Sequence, residues 1–126
     1  MANINDAVLD AAIQYIIDNA ENIYVLSADP GLNYGNIATY KLGTKAAPLA
    51  LVGTNPKDGS PNGRRVEYDA ISDGVVDAAG TATHFAITDD SASRILASAP
   101  LSVNKDLAMG SPWTLTAFSI TIPDAA

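Results

Sequence analysis

The sequence contains no cysteine among its 126 residues, and it contains no long apolar run. Without cysteine, disulfides, zinc–thiolate sites, iron–sulfur clusters and cysteine nucleophiles are excluded. The longest apolar runs are a few residues long, far short of the ~20 residues that span a bilayer. The first twenty residues also lack the basic region that begins a secretory signal. These features predict a soluble protein with no membrane contact.

Aromatic residues are scarce as well, at 6% of the chain. The overall composition, 48% hydrophobic and 17% charged, is nevertheless that of a folded chain. A length of 126 residues fits one domain, and we predict a single domain over residues 1–126. Few aromatics together with many alanine, threonine and serine residues favour short strands in thin layers over a large aromatic core.

Basic residues are absent from the first 40 positions, and the net charge of the chain is −7. An excess of acidic residues argues against nucleic-acid binding, which needs a basic face. Five bases nevertheless fall between residues 41 and 65, against one acid, Asp58. Of these bases, we predict that Lys57, Arg64 and Arg65 form a protein interface. The alternative is that the basic segment pairs with acids of its own chain.

The N-terminal segment has the spacing of a helix over about residues 4–20. Asn3 or Asn5 is placed to cap its start, and Asn19 or Asn22 is placed to end it. Its apolar residues form a broad stripe that predicts a helix laid on a sheet or against another subunit. The central stripe is Val8, Ala11, Ala12, Tyr15 and Ile16, widened by Leu9, Ile13 and Ile17.

The remainder, residues 22–123, reads as about six to eight short strands with turn residues at regular spacing. The predicted strands include residues 22–28, an edge strand at 47–53, and residues 65–71. A turn is predicted at residues 72–74. Residues 34–43 fit either a loop or a short strand. The predicted fold class is therefore mainly β (α+β), an antiparallel β-sandwich or small barrel with one N-terminal helix.

The last predicted strand, Trp113 to Ile122, changes the face on which its apolar residues lie. Trp113 and Leu115 share one parity, whereas Phe118, Ile120 and Ile122 have the other. A β-bulge after Ala117 would bring all of them to one side, and a strand buried on both faces is the alternative. Pro123 is predicted to end the strand.

Residues 81–101 concentrate the polar residues that chemistry would use, and they are predicted to form a hairpin. His84 lies in an alternating strand, and the turn that follows holds Asp89, Asp90, Ser91 and Ser93. Catalysis would need His84 beside an orienting acid and a nucleophile, and no nucleophile is placed. The acids lack the spacing of a calcium loop, so only a weak interfacial cation stays as an alternative. We therefore predict no catalytic residue, metal or cofactor.

The hairpin and its flanks resemble a family of small virion proteins encoded among the structural genes of tailed bacteriophages. The resemblance is carried by a helical opening, INDAVLDAAIQYI followed by IYVLSADP, and by a C-terminal scheme. That scheme is G-x-x-T-H-x-[AG]-[IL]-x-D, a turn, L-[LA]-x-[AG]-x-L, a loop and a closing strand. In this sequence the matching positions are Gly80, Thr83, His84, Ala86, Ile87, Asp89, Ile95, Leu96, Leu101 and residues 113–122.

The resemblance implies a non-enzymatic capsid decoration (cement) protein, made in the host cytoplasm and located on the virion surface. Its implied partners are the major capsid protein and copies of itself, as a trimer, because cement proteins commonly sit on local three-fold axes. Two alternatives stay open. One is a tail- or fibre-associated virion component, and the other is a glycan-binding appendage that uses Tyr34, Tyr40 or Trp113, of which Trp113 fits the core better.

Overall fold

A computed structural model describes residues 5–59 and 63–122, and about half of the residues lie in strands. The predicted class is confirmed: the fold is mainly β, antiparallel, with one long N-terminal helix. The helices are α1 (Asp6–Asn19) and α2 (Gly35–Tyr40). The strands are β1 (Asn22–Leu26), β2 (Lys41–Ala46), β3 (Lys57–Asp58), β4 (Arg64–Tyr68), β5 (Ile71–Val76), β6 (Gly80–Asp89), β7 (Arg94–Leu107), β8 (Trp113–Leu115) and β9 (Phe118–Ile122).

The chain forms two compact units, which are described separately. Unit 1 contains α1 and a three-stranded sheet in the order β3-β4-β9. Unit 2 contains α2 and a curled six-stranded sheet, a half-barrel, in the order β7-β6-β1-β2-β5-β8.

In unit 1, α1 begins and ends at two of the asparagines that the sequence offered. The side chain of Asn5 accepts a hydrogen bond from the Ala7 amide at 2.8 Å, and that of Asn19 donates to the Tyr15 carbonyl at 2.9 Å. The Ala7 amide lies in the first turn, whose N–H groups the helix itself leaves unpaired, so Asn5 caps α1. Of the other predicted positions, Asn22 lies in β1, and Asn3, Ile4 and Pro123 lie outside the described residues.

The buried stripe of α1 is narrower than the predicted one. Leu9, Ile13 and Ile16 are buried, and α1 packs against β4. Val8 and Tyr15, which were predicted to be central, are 60% and 44% exposed. All three buried residues belong to the predicted stripe, whereas its two alanines, Ala11 and Ala12, are exposed. Burying the larger side chains removes more apolar area from water.

Two predictions are wrong: the turn at residues 72–74, which lies within β5, and the edge strand at residues 47–53. Strand β5 runs straight through Gly74, where a turn was predicted. Glycine at this position lets the indole of Trp113 lie directly against the backbone of β5, because a Cβ there would overlap the ring. The predicted edge strand at 47–53 is reduced to one bridge, between Leu51 and Tyr68 beside β4.

In unit 2, β1 lies between β2 and β6, and α2 covers one face of the sheet. Ile37 of α2 packs with Leu26, Ala86 and Ile95. The stretch that fitted a loop or a strand is thus a helix followed by β2. A local turn starts α2, in which the Asn33 side chain accepts from the Gly35 amide at 3.0 Å.

The change of face in residues 113–122 has a different cause from the predicted bulge. The stretch is two strands, β8 in the six-stranded sheet and β9 in the three-stranded sheet. Trp113 and Leu115 are buried in unit 2, while Phe118 in unit 1 stacks on Tyr68 with ring centroids 5.0 Å apart. The parity changes because the chain leaves one sheet for another.

Candidate functional site

The predicted hairpin is confirmed, with β6 and β7 joined by a short 3-10 helix, Asp90–Ala92. His84 lies opposite Leu26 on β1 and Pro100 on β7. Its Nδ1 is 2.8 Å from Thr83 Oγ1. Asp89 is five residues further along the strand, which places it about 16 Å away at ~3.3 Å per residue. The hairpin therefore keeps His84 apart from the acids at its tip.

The polar residues that do converge lie around one carboxylate, and we call this group the Asp90 centre. Oδ2 of Asp90 accepts from Asn22 Nδ2 at 2.5 Å and from Tyr24 OH at 3.2 Å. Oδ1 accepts from Tyr34 OH at 2.6 Å and from Thr88 Oγ1 at 3.0 Å. Four donors from β1, β6 and the segment before α2 thus meet at the tip of the hairpin.

Burial, hydrogen bonds and charge shift the pKa values of Asp90, Tyr34 and Tyr24 in the Asp90 centre. Burial opposes ionisation of Asp90, but hydrogen bonds from Tyr34, Asn22, Thr88 and Tyr24 outweigh it, so its pKa is lowered. The hydrogen bond to Asp90, with burial, raises the pKa of Tyr34 to about 12. Burial is the first cause for Tyr24, followed by the charge of Asp90, and its pKa is also about 12.

The hydrogen bonds of the Asp90 centre have a structural role, because they join the hairpin tip to β1, to β6 and to the segment before α2. An ionised carboxylate that already accepts four hydrogen bonds has its acceptor positions filled, so it is poorly placed to remove a proton from a substrate. Sequence reasoning placed Asp90 only in a turn. No spacing rule links residues 22, 24, 34 and 88 to it, because the group forms only when β1 pairs with β6.

The three predicted interface residues are all in unit 1, and each is bound to groups of its own chain. Lys57 Nζ lies 2.8 Å from Glu67 Oε1, and Arg64 Nε lies 2.6 Å from Asp10 Oδ1 on α1. Arg65 donates to the Asp58 carbonyl at 2.9 Å and lies 3.7 Å from Glu67 Oε2. This is the intramolecular arrangement that the charge pattern left open.

These ion pairs also shift the titration of their members. The hydrogen bond to Asp10 raises the pKa of Arg64, and the hydrogen bond from Lys57 lowers the pKa of Glu67. A partner that docks on these bases would meet charges that are already partly neutralised. The interface role of Lys57, Arg64 and Arg65 stays a prediction.

The aromatic residues considered for a sugar site are buried or partly buried in unit 2. Trp113 is 1% exposed, which confirms its place in the core. The hydroxyl of Tyr34 is bound to Asp90, and Tyr34 and Tyr40 are partly buried against the cluster around Leu26.

A surface cleft of about 440 Å³ lies elsewhere on unit 2, between β5 and the turn before β8. It is lined by residues 72–76 and 110–112. The nearest ion pair joins Lys45 Nζ and Asp73 Oδ2 at 2.9 Å. None of the predicted interface residues lines this cleft.

Within residues 5–59 and 63–122, no group of three or more histidine, aspartate or glutamate side chains is arranged to hold a metal ion. In the same part of the chain, no helix is both long and apolar enough to cross a bilayer. The chain matches no family model, no curated protein and no solved structure.

Proposed function

We propose that this chain is a non-enzymatic structural protein of a tailed-phage virion, most specifically a capsid decoration protein that binds the major capsid lattice as a trimer. The observation that carries the proposal is the Asp90 centre. Asp90, at the hairpin tip where an active site would have been placed, accepts four hydrogen bonds that join the tip to β1, to β6 and to the segment before α2. The class of protein comes from the resemblance of the helical opening, the segment IYVLSADP and residues 80–122 to small virion proteins of tailed bacteriophages.

The copy number of the chain in purified particles tests this proposal. Quantitative mass spectrometry against the major capsid protein, on particles of the genome that encodes the chain, is expected to find hundreds of copies, because a lattice-wide protein repeats with the capsid. A dozen copies would favour the alternative, a tail- or fibre-associated component. Absence from the particles would contradict any virion role. Light scattering of the purified chain measures the trimer separately.

The docking role of the basic residues needs a variant that keeps the fold. Arg64→Glu alone would bring three carboxylates together, with Asp10 and Asp58, and would disturb unit 1. The double variant D10R/R64E restores an ion pair with its charges exchanged. If the Arg64 charge faces an acidic partner, binding to particles stripped of the protein is expected to weaken by about tenfold or more.

A matched exchange on unit 2, K45D/D73K, is the control for that experiment, because Lys45 and Asp73 lie outside the predicted interface. It is expected to bind as the wild type does. If D10R/R64E also binds as the wild type while circular dichroism shows it folded, then Arg64 takes no part in docking.

The alternative of a glycan-binding appendage makes a different prediction from the same purified protein. It requires retention on a glycan array, and the docking proposal requires none.

A further inference from the structure

The end of strand β5 in unit 2 has one paired edge and one open edge. On the first side it pairs with β2, where Val76 lies opposite Gly43. On the second side it pairs with β8, whose first residue, Trp113, lies opposite Gly74. Because β5 continues to Val76, β8 stops two residues before β5 does.

The hydrogen bonds beside β2 show which way the backbone of Val76 faces. The Asp77 amide donates to the Leu42 carbonyl at 2.7 Å, just beyond the pair formed by Val76 and Gly43. In an antiparallel ladder this pattern marks a pair that does not itself exchange hydrogen bonds. Val76 therefore directs its own amide and carbonyl away from β2, toward the side on which Gly74 pairs with β8.

The chain before β8 turns away from these two groups. If β8 extended further in register, Ser111 would lie opposite Val76, but the Ser111 amide donates to the Ala108 carbonyl at 3.3 Å. Gly110 has a φ of 88°, and Pro112 has no amide to offer. Within residues 5–59 and 63–122, neither backbone group of Val76 has a hydrogen-bond partner on this side. Val76 is buried, and unpaired backbone groups of a buried residue are costly.

The surface cleft of about 440 Å³ lies along this open edge. Its walls are β5, at residues 72–76, and the turn at residues 110–112. The one charged residue of the lining, Asp73, is paired with Lys45 at 2.9 Å, so the cleft selects for no charge. An uncharged cleft beside an unpaired amide and carbonyl matches an extended apolar peptide, because a strand supplies both missing partners together.

The shape of the cleft indicates where such a strand comes from. It is walled on both sides, so its occupant has to be a single strand that is free on both edges. Each strand of the described residues is already paired on at least one edge within its own sheet. This favours a segment of a different protein over a strand from a second copy of this chain.

We propose that this cleft docks an extended, uncharged apolar segment of a partner protein, which adds to the sheet beside β5 and pairs with the amide and carbonyl of Val76. Side chains of the segment pack on the exposed Val75. The site lies in unit 2 and uses none of the basic residues of unit 1, so it is tested separately from their docking role. The K45D/D73K exchange keeps its ion pair and leaves the site in place.

A capped seven-residue peptide of alternating valine and threonine is the probe for this site. In an NMR titration of the wild-type chain, the Val76 amide proton is expected to shift downfield as it gains a hydrogen bond. The Val75 amide, which faces β2, should stay in place. The same peptide with methylated backbone amides cannot pair and should leave Val76 unmoved. No shift of Val76 at millimolar peptide, or an equal shift with the methylated peptide, would overturn the proposal.

Val75→Glu tests the cleft with little risk to the fold, because Val75 is 62% exposed. Its charge is expected to weaken peptide binding by about tenfold or more. Fluorescence of Trp113 measures the binding, since the indole lies against Gly74 of the cleft wall. Val103→Glu is the matched control and should bind as the wild type does, because Val103, 69% exposed on β7, lies outside the cleft.

Two further outcomes would contradict the proposal. If Val75→Glu binds the peptide as well as Val103→Glu does, the peptide is held elsewhere and the cleft is not its site. If the Val76 signal shifts with protein concentration before any peptide is added, a second copy of the chain occupies the edge, and the assignment to a different protein is wrong.

Discussion

Replacing Trp113 by alanine is expected to destabilise the protein by about 3–5 kcal/mol, as for other buried tryptophans. Trp113 is the only tryptophan of the chain and is 1% exposed. Its indole lies over two glycines on neighbouring strands, Gly43 on β2 and Gly74 on β5. Chemical denaturation followed by circular dichroism measures the loss, because the variant has no tryptophan fluorescence.

A double-mutant cycle tests whether the indole is what requires glycine at position 74. In the wild type, a Cβ at Gly74 would overlap the indole, so Gly74→Ala is expected to cost about 1–3 kcal/mol. In the Trp113→Ala background the same methyl group enters the vacated space, and its cost should largely vanish. The coupling between the two changes should therefore be at least about 1 kcal/mol.

Gly80→Ala is the matched control for that cycle. Gly80 is in the same sheet, but a Cβ there would meet side-chain atoms of Leu42, the closest at 3.1 Å, and not the indole. Its effect should add to that of Trp113→Ala. If Gly74→Ala is equally costly with and without the indole, then backbone conformation and not the close approach explains the glycine.

The fold class was predictable because alternation and turn residues are local properties of the chain. The β6–β7 hairpin follows from two alternating runs and the acids between them, and the α1 caps follow from asparagines at its ends. The parity change at residues 113–122 was also visible, but its meaning was not. A bulge and a move to a second sheet give the same pattern in one strand, and only the pairing partners of β8 and β9 distinguish them.

The features that sequence reasoning missed depend on contacts between distant residues. Gly74 has the local character of a turn residue, and its role over Trp113 is set by residues nearly forty positions apart. The intramolecular pairing of Arg64 with Asp10 joins β4 to α1 in the same way. On α1, the predicted apolar stripe was broader than the buried one, and helical spacing alone did not say which of its residues would face β4.

Replacing Asp90 by asparagine is also expected to destabilise the protein substantially. Asp90→Asn keeps the shape of the side chain but places an amide nitrogen against two of its four donors. We expect a loss of about 2–3 kcal/mol, since hydrogen bonds to charged groups are strong and donors left without an acceptor are costly. Denaturant unfolding measures the loss. Asp106→Asn, whose carboxylate accepts a single exposed hydrogen bond from Thr81, should cost less than about 0.5 kcal/mol.

The tyrosines provide a second measurement of the same variant. In Asp90→Asn the pKa of Tyr34, now about 12, should fall furthest toward its ordinary value, because the hydrogen bond to Asp90 is its first cause. Tyr24 should fall less, since burial comes first there. Tyr68 in unit 1, raised to about 12 by burial alone, is an internal control that should stay unchanged. Phenolate absorbance after a rapid pH jump, with Tyr→Phe variants for assignment, measures all three. An unchanged Tyr34 would mean that its hydroxyl is not bound to Asp90, and the centre would then hold fewer strands together than the four hydrogen bonds imply.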